Sequence, residues 1–313
     1  MIEKELNINN NDKMKKTMMT ALVLVMAVVA QAQVKIAPKM AKGDKYVYVT
    51  EAKTDAAGQV SFTMTGENVY EVVEATADGY VVNATNTKLE ASATDNPIVR
   101  MMLAAEEVMK NQTMQVVTDK DGRPTGIKNF DELSKGVSTA LDQWITDFYK
   151  AYPQVAQMVP QEKFKAQLQA NLTEEFCLKT LTHPNSVFCL NGLTIQNMSQ
   201  DTYTDAQGLK MKRMYFVSNG GKSVLTSSKT DMTADELKAM IIKQVEENAP
   251  EQAEMIKQNI DAVMASGAMK IEGTEKTQYE LQDNGWVKSI ESNTETNSMG
   301  QSLKTTVTVK VKE

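Results

Sequence analysis

The chain has one histidine, His183, and two cysteines, Cys177 and Cys189, in 313 residues. That scarcity excludes much chemistry. A Ser-His-Asp or Cys-His nucleophile would have to use His183. That residue sits in Thr182-His183-Pro184-Asn185, between the two cysteines, and no G-x-S-x-G turn accompanies it. A loop histidine is the expectation. A zinc site needs three or four close Cys, His or carboxylate ligands, and this set is too small. No G-x-G-x-x-G occurs. Gly220-Gly221-Lys222-Ser223 ends like a phosphate-binding loop, but Phe216 stands where its first glycine belongs. Asp119-Lys120-Asp121-Gly122 opens like a calcium loop. Its fifth position is Arg123 and its twelfth is Phe130, where a bidentate Glu is required. Both stretches are expected to be turns. No cofactor is implied.

Positive charge is also in short supply. Lys and Arg number 34 against 40 Asp and Glu, a net charge of -6. A nucleic-acid partner would need a basic face, so none is expected. Long apolar runs are missing too. The longest, Ala21 to Val29 with Ala30 directly after it, spans ten residues, whereas a membrane helix needs about 20. No transmembrane anchor is expected.

That short run has a context. Met14-Lys15-Lys16 precedes it and Ala30-Gln31-Ala32 follows. A basic start, a short apolar core and an A-x-A site make a cleavable secretory signal, about 14–32. Residues 1–13 are polar and precede a natural start at Met14. The product is expected to be periplasmic or secreted, and 33–313 to be the folding part. An oxidising compartment makes a Cys177–Cys189 disulfide the expectation. It would close a small loop around His183-Pro184 and contribute about 3 kcal/mol if unstrained. The alternative is two buried reduced thiols.

Turn residues and periodicity lay out the rest. Tyr46 to Thr50, Ser61 to Met64, Val69 to Glu74 and Tyr80 to Thr85 read as strands, the last after Asp78-Gly79. Asn96-Pro97 opens a helix bearing Ile98, Met101, Met102, Ala105, Val108 and Met109 on one face. Thr113 to Asp119 and Thr125 to Lys128 make a hairpin around Asp121-Gly122. Asn129 with Glu132 suggests a capping box. Leu133, Val137, Ala140, Leu141, Trp144, Ile145 and Phe148 then form one helical stripe. A helix over about 161–179 follows. Strands over 193–204, 209–218 and 223–229 lead to a capping box at Thr233 and Glu236. Helices at about 234–248 and 250–265 come next. A hairpin turns at Asp283-Asn284-Gly285, and an alternating strand ends the chain at 303–311.

This order predicts an α+β fold: a curved, half-barrel-like antiparallel β-sheet packed on helices. It reads as one domain over 33–313 with two similar halves, about 42–160 and 190–313. The halves suggest an internal duplication of β-β-β-α-β-β. The sequence has 21 Met. Met101, Met102 and Met109 in the first half, and Met240 and Met264 in the second, are candidates to line an apolar cavity. Core filling is the plainer role for them. The adjacent acidic pairs Glu106-Glu107, Glu174-Glu175 and Glu246-Glu247 read as solvated helix faces, because neighbours point about 100° apart.

Three stretches carry a resemblance. They are Lys42-Gly43-Asp44-Lys45-Tyr46, Val117 to Gly122 running into a helix at Asn129, and Asn284-Gly285-Trp286. With Ala30 to Gln33 at the signal's end, the chain resembles exported Bacteroidota proteins that contain a domain of unknown function. No Trp follows Gly192, a departure from that pattern. The resemblance implies export and no known activity. A strand-rich shell around helices also looks like the half-barrels of periplasmic lipoprotein carriers, a likeness of fold that does not carry function with it. The leading expectation is a non-enzymatic envelope protein holding an apolar ligand, a lipid or a lipidated partner. The alternatives are a structural or interaction protein, or a hydrolase using carboxylates.

Overall fold

The computed structural model describes residues 33–56, 60–93, 95–170, 172–205, 208–248, 250–265, 271–298 and 301–312. The expected signal, about 14–32, lies outside them.

The dominant element is one open antiparallel sheet. Its strands are β2 (Lys45–Ala56), β3 (Val60–Ala75), β4 (Gly79–Ala91), β5 (Thr113–Asp119), β6 (Pro124–Ile127), β8 (Gln200–Thr204), β9 (Lys210–Ser218), β10 (Ser223–Thr230), β11 (Ile271–Leu281), β12 (Val287–Ser298) and β13 (Gln301–Val311). They lie in the order β6-β5-β4-β3-β2-β13-β12-β11-β10-β9-β8. Every neighbour but one is a sequence neighbour. The exception pairs the last strand with the first long one, Val307 opposite Ala52 and Val309 opposite Thr50. A separate two-stranded ribbon joins β1 (Gln33–Lys35) to β7 (Thr194–Gln196).

The first half runs three strands, the helices α1 (Pro97–Met102) and α2 (Ala104–Met109), then two strands. The second runs three strands, the helices α7 (Ala234–Asn248) and α8 (Pro250–Ala265), then three strands. Between the halves lie α3 (Phe130–Ala151), α4 (Val155–Met158), α5 (Gln161–Ala170) and α6 (Glu174–Leu181).

Alternation decides which face of each strand is buried. On β11, Glu275, Thr277, Tyr279 and Leu281 point inward while Thr274 and Lys276 face water. The sheet curls. Cys189 and Asn191 are two residues apart, yet Arg213 Nη1 on β9 lies 3.8 Å from Cys189 Sγ. Asn191 Nδ2 donates at 3.1 Å to Gly122 O in the β5–β6 turn. In a flat sheet those strands would stand roughly 38 Å apart, at about 4.8 Å per spacing. The segment 187–190 therefore forms a plug, and the inner face wraps around it without closing. Tyr48, Val82, Val224, Tyr279, Trp286 and Ile290 share its core, all essentially inaccessible to solvent.

A second core lies among the helices. The α3 stripe Leu133, Val137, Leu141, Trp144, Ile145 and Phe148 is buried as its spacing predicts. Phe164 of α5 packs there, with its ring centroid 6.1 Å from Trp144.

Several local expectations are refined. The Thr233 box forms: Glu236 N donates to Thr233 Oγ1 at 3.2 Å, and Thr233 N to Glu236 Oε2 at 2.8 Å. Asn96 caps α1 by accepting from Ile98 N at 2.9 Å. Asn129 does not form its box. Its Oδ1 accepts from Gln115 N and its Nδ2 donates to Thr113 O, both at 2.9 Å. It ties the start of α3 to β5, because a hairpin partner was within closer reach than the helix's own first turn. The helix expected over 161–179 is two helices, with Thr173 capping α6 by accepting from Phe176 N. The 193–204 strand is broken near Met198, whose φ is +63°.

Candidate functional site

A cavity of about 340 Å³ opens where the sheet's first half meets the helices. The sheet contributes Asn68 and Tyr70 from β3, Ala84, Thr85 and Asn86 from β4, and Met114 from β5. Helix α2 supplies Ala104, Ala105, Glu106, Val108 and Met109, and Val137 and Leu141 come from α3. Leu168 of α5 and Phe176, Cys177 and Leu181 of α6 complete much of the far side. Apolar side chains dominate. Phe176 is 39% exposed, a ring half in water at the cavity's edge.

The walls are held firmly. Glu174 Oε1 accepts from Ile127 N at 2.7 Å, so α6 covers the edge strand β6. Asn111 N donates to Asn86 O at 2.8 Å, fixing the end of α2 against β4. Thr85 and Thr113 hydroxyls pair at 2.8 Å across β4 and β5.

Glu106 and Glu107, expected on a solvated face, diverge. Glu107 Oε2 accepts from Arg100 Nη2 at 2.9 Å and also from Trp144 Nε1. Glu106 turns into the cavity wall. Burial pushes its carboxyl above the usual range, and the Glu107 charge adds to that. Its Oε2 and the Oδ1 of Asn86 are buried without a hydrogen-bond partner. No sequence pattern signals this, because an acidic pair near a helix start reads the same whichever member faces inward.

The candidate methionines fall in different places. Met109 lines the cavity, while Met101 packs beside it in the helical core and Met102 is 44% exposed. Met240 and Met264 lie half-buried on α7 and α8 and are not part of its lining. Their helices connect β10 to β11, toward the other end of the strand order from β3, β4 and β5, so the two methionine sets do not share this cavity. Met114, Leu168 and Leu172 are lining residues that the methionine pattern missed.

The expected disulfide is not formed. Cys177 and Cys189 are free thiols. Cys177 faces the helical core and the cavity from α6. Cys189 is buried in the sheet core, where Tyr279 Oη lies 3.6 Å away. Loop length allowed a bridge, but the two side chains serve different cores. Burial raises both thiols, and Glu174 adds to this at Cys177.

A polar network lies on the inner face of the second half. Arg213 Nε and Nη2 bond both carboxylate oxygens of Asp201, at 3.0 and 2.7 Å. Its guanidinium lies 4.9 Å from the ring centroids of both Tyr203 and Tyr215. Tyr203 Oη donates to Glu275 Oε2 at 3.2 Å, and Thr277 Oγ1 to Glu275 Oε1 at 2.8 Å. His183 lies in a loop, where its Nδ1 accepts from Asn185 N at 3.4 Å. Among the described residues, no three His, Cys, Asp or Glu gather where a metal could bind. No described helix is long and apolar enough to cross a membrane.

No family model and no curated protein matches the chain. Among solved structures, it is similar to a lipovitellin structure concerned with lipid–protein interactions, with 8% identity and a TM-score of 0.40. That match covers 88% of this chain but only 26% of the lipovitellin chain. It is also similar to a Bacteroides fragilis protein described as exported and YmcC-like in fold. There the identity is 9% and the TM-score 0.22, over 90% of this chain and all of the other.

Proposed function

We propose that the protein is an exported, non-enzymatic envelope protein that holds one apolar chain, of a lipid or another small molecule, in this cavity. The observation that carries the reading is the cavity itself. Its volume, about 340 Å³, is near the low end of ligand pockets, which run from roughly 300 to 1,000 Å³. Val108, Met109, Met114, Leu141, Leu168 and Leu172 offer it a carbon wall. Each methylene moved from water to such a wall contributes about 0.8 kcal/mol. Affinity should therefore rise roughly fourfold per carbon until the cavity is full. Export rests on the three-part signal pattern at about 14–32.

The test is native mass spectrometry of the mature protein purified from its own envelope, with lipid extraction alongside. A retained mass matching an extracted apolar molecule is expected. Ala84→Trp fills the cavity from the sheet side and should abolish it. A bare chain mass, with no uptake of N-phenyl-1-naphthylamine by the purified protein, would overturn the reading.

A further inference from the structure

The cavity has a polar point as well as an apolar wall. Asn86 Oδ1 from β4 and Glu106 Oε2 from α2 both belong to lining residues, and both are buried acceptors without a donor. Leaving a buried acceptor unpaired costs about 1–3 kcal/mol. Folded proteins keep few such atoms, and two on side chains of one cavity wall, each sealed from water, suit a ligand whose donor they meet after a small side-chain turn.

The charge of the lining narrows the ligand further. Among the described residues it includes one carboxyl and no Lys, Arg or His. The guanidinium of Arg100, on the preceding helix, is bonded to Glu107. A carboxylate or phosphate head would therefore enter without a counter-charge and against Glu106. A cationic head would have to ionise Glu106, burying two charges at several kcal/mol each. Burial already biases that carboxyl toward its neutral form, which can donate as well as accept.

We infer that the ligand is a single-chain amphiphile with an uncharged hydroxyl or amide end, seated on Glu106 and Asn86, and that anionic lipids are rejected. This rests on the apolar-ligand reading above and names the ligand class for the same cavity.

The experiment is calorimetric titration of the full mature chain at neutral pH with decanol, decanoate and decylamine, which share one chain. Decanol is expected to bind at least tenfold more tightly than either charged ligand. Glu106→Leu should weaken decanol roughly three- to tenfold, the value of one hydrogen bond, and narrow its margin over decylamine and decanoate. Glu106→Gln keeps a hydrogen-bonding group of the same shape and should retain the preference; it also serves if the Leu variant fails to fold. Decanoate or decylamine binding as tightly as decanol would overturn the inference, as would equal binding of all three. If no decyl ligand and no naphthylamine binds, the cavity reading itself fails.

Discussion

Replacing Glu106 by Gln should make the protein's stability less sensitive to pH, in a direction the structure fixes. The folded-state carboxyl is raised by burial and by the neighbouring Glu107 charge. Below the ordinary carboxylate pKa, folded and unfolded chains both hold the proton, and the two proteins should melt alike. As pH rises past that value, the unfolded chain releases its proton while the folded chain keeps it. The wild type is then destabilised relative to Glu106→Gln by about 1.4 kcal/mol per pH unit, until the raised folded pKa is passed. Above it, both states are ionised and the difference levels off. A kcal/mol moves the thermal midpoint of a chain this size by roughly 2–4 °C. The assay is a series of paired melts between about pH 4 and 8. The other carboxylates titrate in both proteins and cancel. A difference that stays flat, or a Gln variant that loses ground as pH rises, would refute the placement of Glu106 in the wall.

Further predictions concern the cores. Unreduced protein should show two reactive thiols in denaturant, and reductant should not move its thermal midpoint, because Cys177 and Cys189 are unpaired. Trp286→Ala should cost about 3–5 kcal/mol by denaturant titration. It removes a ring stacked on Tyr46 at 5.3 Å and edge-on to Phe188 at 5.6 Å. Arg213→Met should cost about 1–3 kcal/mol by the same titration, because the half-exposed Asp201 carboxylate can take water in place of its charge-assisted bonds. It would strand Asp201, which would keep its bond from Tyr215 Oη at 2.7 Å. Adding Asp201→Leu should recover much of that loss. If the double variant is no better than the single one, the pair is not a coupled unit.

What the sequence determined by itself was local. The α3 stripe from Leu133 to Phe148, the Asn96 and Thr233 caps, and the turns at Asp78-Gly79 and Asp283-Asn284-Gly285 all depend on neighbours within about five residues. Their periodicity and φ preferences suffice to read them, and together they place the chain among α+β folds with a large antiparallel sheet. The tertiary structure decided what depends on partners far along the chain. It joined β13 to β2 and curled the sheet around 187–190. It sent Cys177 and Cys189 into different cores. It kept Met109 at the cavity while leaving Met240 and Met264 elsewhere. It also turned Glu106 inward beside Asn86, with Glu107 held by Arg100 and Trp144. Adjacent helix positions differ by about 100°, so a small rotation of α2 chooses which carboxylate is buried. That rotation is set by packing against β4 and α3, which no local pattern in the sequence records.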